Sequence, residues 1–138
     1  MERIFSKSEP GTLIGIVFQE ADFKSGNRID IAPRNEFLQC SALGLNEGRT
    51  FRPHKHIHLE KTTNIAQECW VVMSGIVKVI WYDLDDKELT TRLLNEGDMA
   101  MTFRGGHNYL CLEDDTLVYE FKTGPYFGVK QDKVFIDE

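Results

Sequence analysis

The sequence predicts an all-β protein, built as a sandwich or a barrel. Short apolar runs recur roughly every eight to twelve residues, each bounded by Gly, Pro, Asn or Asp. Nothing in the body of the chain demands a helix of ordinary length. A chain of 138 residues with 41% apolar and 11% aromatic residues can bury one core without disulfides, so one domain over 1–138 is expected.

In chain order, residues 1–12 read as an irregular lead-in, and Leu13 to Phe18 is a β-prone run suited to an edge strand or a subunit contact. Ser25-Gly26-Asn27 marks a turn, Asp30 to Pro33 a connection, and Glu36 to Leu45 a second strand ending in Gly44 to Gly48. Arg49 to Leu59 is expected as a strand carrying a row of histidines, and Lys61 to Ala66 as a polar loop. Gln67 to Met73 is strand, closed by Ser74-Gly75. Ile76 to Tyr82 and Glu88 to Leu94 form a hairpin around the acidic loop Asp83 to Lys87. Met99 to Phe103, His107 to Leu112 and Thr116 to Lys122 follow as strands, with turns at Asn95 to Asp98, Arg104 to Gly106 and Glu113 to Asp115. The barrel core is thus expected at about 36–122. The tail, 123–138, should lie across the barrel through Phe127, Val134 and Phe135.

Charge and cysteine usage exclude some functions. Sixteen basic against 22 acidic residues give a net charge of -6, which disfavours nucleic acid. Cys40, Cys69 and Cys111 are odd in number and scattered, matching neither a disulfide framework nor a zinc knuckle. The first apolar run is too short for a secretory core or a membrane span, so a cytoplasmic protein with no membrane partner is expected.

Three of the four histidines, His54, His56 and His58, lie two residues apart. On a strand they would share one face with Glu60, while Lys55, Ile57 and Leu59 took the other. Imidazoles two apart stand roughly 6.6 Å from each other and can converge on one ion, whereas those four apart stand roughly 13 Å away and cannot. Geometry alone allows His54 with His56, or His56 with His58. The same reach favours Glu68, on the next strand, over Glu60 as the carboxylate.

These residues resemble the cupin family, whose first motif is Gly, five residues, His-x-His, three or four residues, Glu, six residues, Gly. Gly48, His54-Lys55-His56, Glu68 and Gly75 match its anchors, with eleven residues instead of three or four between His56 and Glu68. The second motif is looser: Gly97-Asp98 opens it, and Arg104-Gly105-Gly106-His107 closes it without proline and one residue short. The resemblance implies a double-stranded β-helix, or jelly roll, and a divalent transition metal (Fe, Mn, Ni or Zn) on His54, His56, Glu68 and His107. More narrowly, the chain is similar to small cupins encoded beside bacterial surface-polysaccharide genes, which implies a small-molecule substrate such as a sugar.

Within that frame His58 becomes a wall of the pocket, and His58 and Tyr109 become the candidate base and acid. Period two aims Trp70 and Val72 inward beside Glu68, with Trp70 as core or substrate platform, and aims Tyr109 and Cys111 inward beyond His107. Lys78 should face solvent, turning Val77, Val79 and Trp81 inward and leaving Ile80 and Tyr82 as an outward face suited to a homodimer. Among Arg49, Arg52, Arg92 and Arg104, the second and the last lie nearest the proposed ligands and are the candidate anion clamps. The expected function is Lewis-acid-assisted proton transfer by an isomerase or epimerase. An Fe(II)-dependent dioxygenase and a non-catalytic binding barrel are the alternatives.

Overall fold

The computed structural model describes residues 1–24, 26 and 28–137; the turn expected at Ser25-Gly26-Asn27 rests on positions outside the described residues. The described residues form ten strands, in order β1 (Glu2–Phe5), β2 (Leu13–Phe18), β3 (Ile29–Asp30), β4 (Ser41–Ala42), β5 (Glu68–Ser74), β6 (Val77–Tyr82), β7 (Glu88–Leu94), β8 (Met99–Thr102), β9 (Gly106–Cys111) and β10 (Leu117–Lys122). Among the described residues helix is confined to a 3-10 turn at Glu20–Asp22 and a four-residue α1 (Val129–Asp132). No helix among the described residues is long and apolar enough to cross a membrane.

The strands pair antiparallel throughout. A five-stranded sheet runs β1-β2-β8-β5-β10, a three-stranded sheet runs β7-β6-β9, and β3 pairs with β4 alone. The two larger sheets bury their inner faces against each other: Ile4, Ile14, Val17, Val72 and Ala100 from one pack on Val77, Val79, Trp81, Leu89 and Leu94 from the other. The opposite face of the five-stranded sheet carries Ile16, Phe18, Cys69, Met99 and Met101. It is covered by Ile31, Ala32, Phe103 and the partly buried Leu38 and Cys40.

That double covering corrects the reading of Leu13 to Phe18. All six residues are buried, and the strand lies between β1 and β8, so it is neither an edge nor a subunit contact. A run apolar at every position, without alternation, is what a strand covered on both faces requires. The lead-in also contains a strand, β1, whose Glu2 carboxylate is clasped by the Arg92 guanidinium at 2.8 Å to Nε. Just beyond it, Asp83 Oδ2 accepts the backbone N–H groups of Lys7 and Ser8 at 2.7 and 3.0 Å, fixing the chain before β2 to the β6–β7 turn.

Between 36 and 45 only Ser41–Ala42 is strand; Glu36 is buried in a polar cluster instead. Its carboxylate accepts from Gln67 Nε2 at 2.7 Å and from Arg104 Nη1 at 2.7 Å. The expected inward set Val77, Val79 and Trp81 is fully buried. Tyr82, expected on the outside, is buried too, packed along Gly105 and Gly106. Cys111, expected inward, is exposed. The tail touches the body through Ile136, against Gly106, while Phe127, Val134 and Phe135 are left in solvent.

The largest departure concerns the histidine row. Residues 49–63 form no strand, and every residue from 45 to 62 is exposed. Alternation needs a neighbouring ladder to become a strand, and this segment has none. The two larger sheets accordingly end on free edges among the described residues, β1 and β10 in one, β7 and β9 in the other.

Candidate functional site

Register decides what faces the gap between the sheets. In an antiparallel pair, directly opposed residues share a face. His107 opposes Trp81 and Tyr109 opposes Val79, both of which are core, so β9 turns His107 and Tyr109 inward. Glu68 and Trp70 share a face of β5 with the fully buried Val72 and so point back at them.

Four predicted site residues therefore meet. Glu68 Oε2 lies 2.9 Å from His107 Nε2 across the gap. The Trp70 and Tyr109 rings stack at 4.0 Å with 4° between their planes, and the His107 ring stands edge-on to Tyr109 at 5.5 Å. Trp70 is thus neither simply core nor free. Its indole N–H donates to Glu120 Oε2 at 3.1 Å, and its ring forms one wall of the cluster.

The hydrogen bond to His107 draws the Glu68 carboxyl down to about 2 against the opposing push of burial, with Glu120 and the Lys133 ammonium of the tail assisting. Glu68 is a fixed anion. With Nε2–H committed to it, a neutral His107 ring keeps its lone pair on Nδ1. Burial pushes the Tyr109 hydroxyl up; nearby Thr102 offsets part of this, while Glu68 and Glu120 add to it. That hydroxyl stays protonated. It is fully enclosed yet makes no hydrogen bond, and the nearby Thr102 Oγ1 already accepts the Trp81 indole N–H at 3.0 Å.

The remaining predicted residues lie apart from this cluster. His54, His56 and His58 are exposed on the 49–63 segment with Glu60. The first two rings are neighbours at 5.6 Å, nearly perpendicular, and His54 Nδ1–H donates to the Arg52 carbonyl at 3.0 Å, which frees Nε2. Among the described residues no three His, Cys, Asp or Glu side chains gather, so the four expected metal ligands, as placed, do not fit one ion. Arg52 stands exposed, and the Arg104 guanidinium is engaged by Glu36.

No family model, curated protein or solved structure matches this chain.

Sequence reasoning missed Thr102, Glu120 and Lys133. For Glu120 a signal existed: it lies two residues from Val118, which packs on the core, and so shares its face. Lys133 carries no such signal, because its place depends on where the tail returns.

Proposed function

We propose that the protein catalyses proton transfer at carbon in a small oxygenated molecule such as a sugar derivative, as an isomerase or epimerase does. The observation that carries this reading is the Glu68–His107 pair beside the Tyr109 ring, whose enclosed hydroxyl has no hydrogen-bond partner. His107 Nδ1 would take a proton from a carbon beside a carbonyl, and the resulting imidazolium would be held by the Glu68 carboxylate. Tyr109 would donate a hydrogen bond to the enolate oxygen. Return of the proton to the same or the adjacent carbon completes an epimerisation or an isomerisation. The Trp70–Tyr109 stack supplies a flat wall for the substrate. Two opposed antiparallel sheets support a jelly-roll reading of the fold, and the cytosolic setting and the surface-polysaccharide link belong to the same proposal.

The test is proton exchange into a panel of keto sugars in D₂O, followed by NMR. Exchange should fall about 10²- to 10⁴-fold in His107→Ala. Unchanged exchange in that variant would refute the reading.

A second reading is favoured by the adjacent His54 and His56 rings: a transition-metal site that Glu68 and His107 would complete only once the 49–63 segment is brought to them, since as placed the four do not gather. Stoichiometric metal lost in both His54→Ala and His107→Ala, with activity abolished by chelator, would replace the first reading. Dependence on O₂ would further assign a dioxygenase. A binding barrel without catalysis would take up a sugar yet exchange no proton.

A further inference from the structure

Residues 49–62, between β4 and β5, are exposed throughout and pair with no strand among the described residues, in a molecule whose described strands also leave edges unpaired. The apolar residues of this stretch are spent on solvent: Ile57 is 84% exposed and Leu59 66% exposed, with Phe51 and, just beyond the stretch, Ile65 also uncovered. Groups of this kind are rarely left in water without a surface to meet. Among the described residues the β9 edge is free, and its outward side presents Leu110 and, just past its end, Leu112, both exposed.

We infer that the arm, about residues 49–61, adds as a strand to the free β9 edge of a second copy of this chain, and that the second copy returns its own arm. Three features select this occupant. The alternation fits: with His54, His56 and His58 turned to the side of His107 and Tyr109, Ile57 and Leu59 join the side of Leu110 and Leu112. The charge fits as well. From Arg49 to Lys61 the arm holds Arg49, Arg52, Lys55 and Lys61 against Glu60 alone, in a chain of net charge -6. Beside the β9 edge stand Glu113, Asp114 and Asp115 of the β9–β10 turn. Finally, the arm does not lie on its own β9, and its full length spans about 40 Å when extended, enough to cross to a neighbour.

Reciprocal exchange of one element is a closed, two-fold arrangement. It would bring the histidine pair of one copy to the Glu68–His107 pair of the other, so the inference deepens the proposed site. It rests on that reading only for the chemistry, because association and contact are measured without turnover.

Sedimentation of the full chain should give a dimer, and Ile57→Asp with Leu59→Asp should raise its dissociation constant about a hundredfold or more. Both side chains are solvent-exposed in the single chain, so the variant keeps its fold, checked by circular dichroism. A chain carrying Ile57→p-benzoylphenylalanine, co-expressed with an unsubstituted chain of different tag length, should photocrosslink to residues 106–112 of the other chain. A wild-type monomer, an unweakened dimer in the double variant, or crosslinks confined to one chain or absent would each overturn the inference. Dimer and crosslink without proton exchange would instead leave the exchange of arms standing and remove the proposed chemistry.

Discussion

Glu68 is held as an anion by its bond to His107, and this sets a sign for its effect on stability. Its folded value of about 2 lies below the ordinary 4.5, so its ionisation stabilises the fold fully above about pH 4.5, and that contribution is lost as pH falls through about 2. Glu68→Gln should therefore unfold more easily than wild type at pH 7, by about 1 kcal/mol. The gap should close between pH 4.5 and 2, followed by urea denaturation across pH; a gap constant with pH would show that the charge is not involved. Tyr109→Phe behaves in the opposite way. An enclosed hydroxyl without a partner contributes nothing to stability, so its removal should leave the urea midpoint unchanged or raise it, while proton exchange falls. A loss of more than about 1 kcal/mol would mean that the hydroxyl is bonded in solution. Both residues were legible in the sequence, but as a metal ligand and an acid on separate strands. Their partnership depends on two sheets facing each other, which no local spacing encodes.

Among the elements, the strands from Glu68 to Lys122 were legible because each combines an apolar run with turn residues, and the boundaries expected there differ by a residue or so from those observed. Leu13 to Phe18 was legible as a strand but not as a central one, since an unbroken apolar run does not say which layers cover it. Here the second layer is the 29–42 segment, which is mostly irregular. The close packing of β2 makes a direct prediction. A Cβ at Gly15 would stand 2.5 Å from the Trp81 indole nitrogen and 2.6 Å from the Met101 carbonyl oxygen. Gly15→Ala should therefore cost about 3 kcal/mol or more in urea denaturation, because it must displace a fully buried tryptophan or the β8 backbone. A neutral substitution would place Trp81 elsewhere. The histidine row was misread for the converse reason: period two describes which face a side chain would take, and only a ladder makes the strand.

At the scale of the molecule, contacts from opposite sheets converge on one place. Trp81 reaches Thr102, Trp70 stacks on Tyr109 and His107 bonds Glu68, each joining the three-stranded to the five-stranded sheet. The state of the His107 ring thus reports whether the two sheets meet as described, and it also decides which nitrogen can act as a base. Long-range ¹H–¹⁵N NMR of the histidine side chains at pH 8 reads it directly. Its bond to Glu68 should hold His107 in the Nε2–H tautomer, with a proton protected from exchange with water and released in Glu68→Ala. An Nδ1–H tautomer, or a ring averaging freely like that of the exposed His58, would contradict it.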